Sequence, residues 1–292
     1  MTLVPVIIPH FQEREKLRKC LAALDAQTYS PREVFVRDNT NDNILFTRAV
    51  NEGLRKYCYR DDVEHVLVLN QDAYLQPDCI GALVQFMGQT PECAVACPLQ
   101  VGAADGKISW GGVGTPLRVG VPAREVTWGG SLQAFPHGVH RCDDFGAYRA
   151  PFETYWANGA CMMIRTKAVR EVGVFDENML FICSDADFSF TARARGWKVH
   201  VVPKAIAEHG LAASSGQSIN REIDLVKARD ALYFARKWLS GDVYRELSWE
   251  GSSLTRIGVR KEIEKMQKRI DVLEGRAGSM RDYFRFHNAP GA

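Results

Sequence analysis

The sequence predicts an α/β fold: a mostly parallel sheet with helices on both faces, followed by a C-terminal helical extension. Three observations carry this expectation. Short apolar runs alternate with segments of helical spacing through residues 1–100. The first three of those runs each end in a cluster of polar residues. Beyond residue 219 the strand-like runs stop, and apolar residues recur at steps of three and four.

The elements follow in order. Residues 3–8, Leu3-Val4-Pro5-Val6-Ile7-Ile8, read as a first strand; no basic flank marks them as a signal peptide. Residues 13–26 have helical spacing through Leu17, Leu21 and Leu24. Val34-Phe35-Val36 is a second strand, residues 44–57 a second helix, and Val66-Leu67-Val68-Leu69 a third strand. Pro77 and Asp78 suit the first turn of a helix over 77–87, and Ala94-Val95-Ala96-Cys97 is a fourth strand. Such alternation implies parallel neighbours joined by helical crossovers. Residues 101–150 are glycine-rich, with Gly111-Gly112, Gly114 and Gly129-Gly130 around Trp110 and Trp128; they read as hairpins and loops that could form a mobile lid. A strand over 155–165, helices over 166–172 and 185–195, and a last strand over 197–202 follow. The extension begins with a helix over 219–239. Then comes a stripe through Val259, Ile263, Met266, Ile270, Leu273, Ala277, Met280 and Phe284, interrupted by Gly275 and Gly278. Packing on the core, self-association into a homo-oligomer and docking on a membrane surface all fit that stripe.

Composition narrows the function classes. Of 292 residues 46% are hydrophobic and 25% charged, as in ordinary globular proteins. The net charge is +2 with no block of one sign, which disfavours nucleic acid as a partner. No apolar stretch reaches the length of a membrane helix. The eight cysteines form no CxxC pair and several lie in apolar runs, so they read as free buried thiols of a cytoplasmic protein.

The polar strand ends carry the chemistry. Asn70-Gln71-Asp72 closes the third strand, and open α/β sheets bind ligands beyond the carboxyl ends of their strands. A carboxylate there can hold a divalent cation against phosphates. The other two ends are Pro9-His10-Phe11-Gln12-Glu13 and Asp38-Asn39-Thr40-Asn41. Singly, each reads as a helix cap. Together on one rim they offer hydrogen-bond acceptors, an aromatic wall and a cation site, which a nucleotide diphosphate requires. No GxGxxG follows the first strand and no P-loop motif occurs, which disfavours dinucleotide and P-loop chemistry. Ser184-Asp185-Ala186-Asp187 is a second acidic element. It reads either as an N-cap serine with acids favoured by the helix dipole, or as a carboxylate tuned as a base beside the apolar Met179-Leu180-Phe181-Ile182. His209, past the last strand, is a structural histidine or a further metal ligand.

These segments resemble the inverting family-2 glycosyltransferases of GT-A fold. The resemblance is carried by Val6-Ile7-Ile8-Pro9-His10-Phe11, Val36-Arg37-Asp38-Asn39, Asn51-Glu52-Gly53, Leu69-Asn70-Gln71-Asp72-Ala73 and Asn158-Gly159-Ala160-Cys161-Met162-Met163-Ile164-Arg165. It continues with Val172-Gly173-Val174-Phe175-Asp176-Glu177, Ser184-Asp185-Ala186-Asp187, Arg193-Ala194-Arg195-Gly196-Trp197 and the stretch from Pro203 to His209, in the family's order over residues 3–210. The branch resembled is the rhamnosyltransferase-like one that builds bacterial surface polysaccharides.

The resemblance implies a Rossmann-like nucleotide-binding half at 1–100, an acceptor and catalytic half at 101–218, and a separate extension at 219–292. It implies nucleotide contacts from Pro9, Phe11, Glu13, Asp38, Asn51, Asn70 and Gln71. Asp72, the last acid of a DxD motif, would hold Mg2+ or Mn2+ with His209, and Asp185 would be the general base. Trp156, Asn158, Gly159 and Asp187 would lie near the donor or acceptor sugar. The donor would be a UDP-, dTDP- or GDP-linked sugar, the acceptor a glycan or lipid-linked glycan. The location would be cytoplasmic, with peripheral attachment to the inner face of the plasma membrane as an option. Three departures stand out: Asn70 for the first acid of DxD, Ser184 for the glutamate before the base, and the absence of QxxRW. The last points to single additions instead of processive synthesis. The first two motivate an alternative, a catalytically silent nucleotide-sugar or glycan-binding domain.

Overall fold

The computed structural model describes residues 2–30, 32–103, 106–112, 148–209 and 221–238, together with 263–264, 267–268 and 270–275. In chain order the elements are β1 (Val4–His10), α1 (Arg14–Asp25), β2 (Arg32–Asp38), α2 (Leu45–Tyr57), β3 (His65–Leu69), β4 (Ala73–Leu75), α3 (Cys79–Gln89) and β5 (Cys93–Val101). They continue with β6 (Ile108–Trp110), β7 (Phe152–Glu153), β8 (Cys161–Arg165), α4 (Thr166–Val172), α5 (Ser184–Ala194), β9 (Lys198–His209) and α6 (Arg221–Trp238).

Side chains alternate across a strand, so each buried strand feeds two cores. Val4, Val6 and Ile8 of β1 meet Cys20 and Leu24 of α1 and the α3 residues Ile80, Leu83 and Met87. Ile7 points the other way, into a larger core with Val50 and Leu54 of α2, Phe188 of α5 and Phe234 of α6. Helices therefore cover both faces. Gly53 sets the spacing on the larger side. A Cβ there would lie 2.6–2.8 Å from three side-chain carbons of Ile7.

Among the described residues the sheet order is β2-β1-β3-β8-β5-β9-β4, with β6 added to β5 and β7 to β9. β1, β2, β3, β5 and β9 run one way, which makes the sheet mostly parallel, and β8 runs against them between β3 and β5. This α/β architecture agrees with the fold class expected.

Several boundaries differ from expectation for local reasons. β8 begins at Cys161, not at 155, because Asn158 turns the chain: its Oδ1 accepts from Ala160 N at 2.9 Å. The last strand runs on to His209 through Pro203. Its register against β5 jumps from Pro98↔Val202 to Leu99↔Ile206, so the proline sits in a bulge and no ladder bond is lost. The short β4 pairs antiparallel with that extended end, Ala73 opposite His209. Ser184 is not the cap of α5 but its first residue, and Cys183 takes the cap position.

Most of the expected lid at 101–150, namely 104–105 and 113–147 with Gly114, Trp128 and Gly129-Gly130, lies outside the described residues, as do Val259, Met266, Ala277, Met280 and Phe284 of the stripe. Ile270 and Leu273 of the stripe are buried in the larger core. α6 joins the same core through Ala228, Ala231, Phe234 and Ala235, so the sequence boundary at 218/219 is crossed by continuous packing. Among the described residues no helix is long and apolar enough to cross a membrane. Among the described residues the seven cysteines form no disulfide and are buried; Cys142 lies outside them.

One core histidine makes stability depend on pH. His65 is 2% exposed, and its two ring nitrogens have no partner among the described residues. Burial, then the charge of Arg165, pushes its pKa down to about 4. The unfolded chain takes up that proton near pH 6.5. Stability from neutral His65 is thus complete above about pH 6.5 and is lost as pH falls toward about 4. At 1.4 kcal/mol per pH unit the loss is about 3 kcal/mol. Urea unfolding at pH 7 and pH 4.5 should show that loss, and His65→Leu should flatten the dependence by a similar amount.

Candidate active site

Register brings the three polar strand ends to one rim. β1 lies between β2 and β3, with His10 opposite Asp38 and Ile7 opposite Val68. Gln71 stitches the ends together. Its Oε1 accepts from Phe11 N at 2.8 Å and lies 2.6 Å from His10 Nδ1, while its Nε2 donates to Phe11 O at 3.1 Å. Gln71 is thus a fastener of the rim, occupied by protein groups. Phe11 is left 40% exposed, a free aromatic face beside the half-buried Pro9. Glu13 is exposed and pairs with Lys16 at 2.5 Å. The exposed Asp38 accepts from Thr40 N at 2.8 Å, and its hydrogen bonds with Thr40 hold its carboxyl below the usual range.

Asp72 and His209 meet because β4 pairs with the end of β9. Asp72 Oδ1 lies 3.5 Å from His209 Nε2, and both side chains are largely covered, at 16% and 13% exposure. Burial pushes the Asp72 carboxyl up, but the hydrogen bond and charge of His209, with the charge of Lys16, prevail and leave it lowered and ionised. A common ion about 2.1 Å from each donor is compatible with that separation. Nδ1 of His209 is buried with no partner among the described residues, so the ring is not already committed to a protein network. Asn70 is half-buried nearby, and its side chain makes no hydrogen bond among the described residues. One carboxylate, one imidazole and one amide oxygen suit a divalent cation whose remaining ligands are phosphate and water. Among the described residues no group of three His, Cys, Asp or Glu side chains surrounds such a point.

Asp185 reaches the same rim through β8. Asn70 N donates to Ala160 O at 2.8 Å, next to the Leu69–Cys161 pair. The adjoining Gly159 N donates to Asp185 Oδ2 at 2.7 Å, and Ala186 N to Asp185 Oδ1 at 2.8 Å. Burial raises the pKa of Asp185 despite those two donors. Its surface is half-covered, with lone pairs left for a proton. Gly159 keeps this junction close: a Cβ would stand 3.1 Å from Asp185 Oδ2 and 3.2 Å from Phe46 Cζ, tight enough that one of them would have to give. Asn158 is half-buried beside it, with Oδ1 engaged by Ala160 N.

Backbone strain gathers here too. Among the described residues the non-glycine positions with left-handed φ are Gln12 (58°), Leu45 (65°) and Cys183 (68°). Gln12 follows Phe11, Leu45 begins the helix that carries Phe46 and Thr47, and Cys183 precedes Asp185 by two. Strain of this kind persists where surrounding contacts over-determine it, and it clusters at functional sites.

Like Gln71, three further expected site residues are engaged by the protein itself. Asn51 is fully buried; its amide donates to Phe175 O at 2.8 Å and Glu177 Oε1 at 3.0 Å and accepts from Phe175 N at 3.0 Å. Nothing of it remains for a nucleotide. Asp187 points away from Asp185, because residues two apart on a helix lie on opposite sides. It pairs with Lys237 Nζ at 2.8 Å and Trp238 Nε1 at 2.6 Å, beside a cavity of about 230 Å³ that includes neither Asp72 nor Asp185. Trp156 is 2% exposed and packs edge-on against Trp110 at 5.5 Å, so it offers no open ring face to a sugar. Conversely, Thr47 and Asp230 were not anticipated. Thr47 donates its backbone N–H to Leu180 O at 3.0 Å and its hydroxyl to Ser184 Oγ at 2.8 Å. Asp230 accepts from Phe181 N and Ile182 N at 2.7 and 3.0 Å.

Solved structures share the fold. No curated protein matches the sequence. Among solved structures, GalNAc-T7 with UDP, GalNAc and Mn2+ is similar over 90% of this chain and 55% of its own, at TM-score 0.53 and 12% identity. The mannosyltransferase PcManGT from Pyrobaculum calidifontis, in complex with GDP-Man and Mn2+, is similar over 97% of this chain and 78% of its own, at TM-score 0.54 and 12% identity. The chain thus spans about half the length of the GalNAc-T7 chain, and at these identities the likeness is one of fold, that of the GT-A glycosyltransferases. A family model described as "Glycosyltransferase like family 2" matches residues 45–223, a segment that holds Asp72, Asp185 and His209. With more than half of its length inside that match, the chain belongs to glycosyltransferase-like family 2.

Proposed function

We propose that the protein transfers a single sugar from a nucleotide-diphosphate sugar to an acceptor hydroxyl with inversion, with Asp185 as the general base. The observation that carries this reading is the Asn70–Ala160 and Gly159–Asp185 pair of hydrogen bonds. It joins a half-buried carboxylate with a raised pKa to the rim that holds Asp72 and His209. Phe11 and Asp38 would receive the base and ribose, and Asp72, His209 and Asn70 would hold Mn2+ or Mg2+ on the diphosphate. An imidazole in the donor set favours manganese. When bound, that cation neutralises charge on the departing diphosphate.

Asp185 takes the acceptor hydroxyl proton as the oxygen attacks the anomeric carbon. The new C–O bond forms on the face opposite the breaking bond, and the diphosphate leaves with the electron pair. The Ser184 that stands where family members have glutamate is buried and bonded to Thr47, so it supports the helix start and need not reach substrate. The rhamnosyltransferase-like motifs make a dTDP-linked deoxysugar the first donor to try, with a glycan or lipid-linked glycan of a bacterial surface polysaccharide as acceptor and the cytoplasmic side of the membrane as the place of work.

Thermal shift with UDP-, dTDP- and GDP-sugars and Mn2+ should identify the donor, because a ligand at about 100 times its Kd adds roughly 2.7 kcal/mol. Failure of every nucleotide sugar to stabilise the chain or be hydrolysed by it sinks the reading. Asp185→Asn should lower turnover by about 10²–10⁴-fold and leave nucleotide affinity unchanged. Asp185 is raised and Asp72 lowered, so the acid limb of kcat/KM should belong to Asp185. Activity should be lost, as pH falls, at a pH above the ordinary carboxylate value of about 4.

Asp72→Ala should instead abolish the manganese dependence of nucleotide binding, and EDTA should mimic it; calorimetric titration of the nucleotide with and without Mn2+ checks both. Gly159→Ala should crowd the Asp185 carboxylate, and turnover should fall at least about tenfold at a stability cost near 1–3 kcal/mol. Full turnover in a folded Gly159→Ala protein would separate the carboxylate's position from catalysis.

A further inference from the structure

The family match stops at residue 223, yet the segment that presents Asp185 is held from beyond that point. The chain from Asp176 to Cys183 has no helix or strand of its own. It passes through the left-handed Cys183 immediately before α5. A strained connection of this kind holds its shape only where it is tied on several sides.

One side is α2, through Thr47 N–H to Leu180 O and Thr47 hydroxyl to Ser184. The other is α6. Asp230, 2% exposed, gives one carboxylate oxygen to two consecutive backbone N–H groups, Phe181 and Ile182. Seven residues on, Lys237 spans the two ends of the segment. Its ammonium lies 2.9 Å from Asp176 Oδ2, where the segment starts, and 2.8 Å from Asp187 Oδ1, on the first turn of α5. Trp238 donates to the same Asp187 oxygen and packs edge-on against Phe190 at 5.6 Å. Asp187 is thus gripped on the face of α5 opposite Asp185, which fixes the rotation of the helix about its own axis.

We propose that α6 is a positioning element for the base: Asp230 and Lys237 set the place of Asp185 against Gly159 N–H and the acceptor site. The inference rests on Asp185 as base, and it makes residues outside the matched family segment necessary for turnover. Asp230 and Lys237 are both engaged by protein groups. Their effect passes through the backbone of Phe181–Ile182 and through Asp187.

The test uses the full chain and two independent readouts. The first needs no substrate. Among the described residues Asp185 is the only partner of Gly159 N–H, so hydrogen exchange at that amide reports where the carboxylate sits. Asp230→Asn and Lys237→Met should each speed Gly159 exchange at least about tenfold, the weight of a hydrogen bond to a charged group. Asp185→Asn serves as the reference.

The second readout is Mn2+-dependent hydrolysis of UDP-glucose, dTDP-rhamnose and GDP-mannose, with the affinity of the matching nucleoside diphosphate. Asp230→Asn and Lys237→Met should lower kcat about 10–100-fold with KM and nucleotide affinity unchanged. Asp230→Ala should be the more severe of the two changes at 230, since Asn keeps one acceptor. Should Asp230 variants fail to fold, the partly exposed Lys237 still carries the test. Unchanged Gly159 exchange, or unchanged kcat in a protein of lower Tm, makes α6 mere packing and overturns the proposal. Full activity in Asp185→Asn would sink the base assignment instead, and the exchange data would still report whether α6 holds that carboxylate.

Discussion

The antiparallel insertion of β8 between β3 and β5 is the constraint on which the site depends. A wholly parallel sheet would start each strand at the rim remote from the ligand. Because β8 runs the other way, its start, not its end, lies beside Asn70 at the polar rim. The turn that leads into it, Asn158-Gly159-Ala160, therefore lies at the place where the end of β3 delivers Asp72. Its Gly159 N–H binds Asp185. Gly159 makes the approach close enough, and Phe46 from α2 closes the other side. Two acids far apart in sequence are brought to one edge by a single strand direction.

The two carboxylates then receive opposite electrostatic treatment. Asp72 has a histidine 3.5 Å away and a lysine within range, and these overcome its burial. Asp185 has backbone dipoles but no cation among the causes that move it, and burial prevails. A ligand for a cation must stay ionised; a base must bind a proton well. Environments that push two acids apart in this way are what the proposed division of labour requires. The departures from the family motif fit the same logic. Asn70 replaces a carboxylate that would have stood beside Asp72, which removes a like charge from a covered site. Ser184 contributes a hydrogen bond to Thr47 and no charge next to the base.

Much of this was legible in the chain because it is written locally. Strand–helix alternation, the polar strand ends and the acids opening α5 each depend on a few adjacent residues. The order of the sheet does not: nothing in Cys161-Met162-Met163-Ile164 distinguishes a parallel strand from an antiparallel one, since a strand buried on both faces is apolar either way. Pro203 read as the end of a strand, and only the bulge against Pro98 lets β9 continue to His209. Asn51 and Asp187 looked functional because polar residues in a motif attract that reading; the helix face on which they fall turns both inward. Asp230 carried a signal that went unread. It lies four residues before Phe234 on an apolar stripe with Ala231 and Ala235, and an acid at such a position is either misplaced or bonded.

Three carboxylates, those of Asp185, Asp187 and Asp230, raise the pKa of the single thiol of Cys183 after its burial has done so. Like charges so close in a covered region oppose folding unless each is met separately. The structure meets them by different means. Asp187 has an ammonium and an indole N–H. Asp230 has a pair of main-chain N–H groups. Asp185 also has two, but one comes from its own helix and the other from a turn in a neighbouring strand. The first two acids are thereby consumed in holding the chain, and both bind through α6. Asp185 alone keeps unshared lone pairs toward the rim. Both neighbours are thus engaged between α6 and the rest of the chain, and the Asp185 carboxylate, held by two backbone N–H groups, is the one of the three left facing the rim.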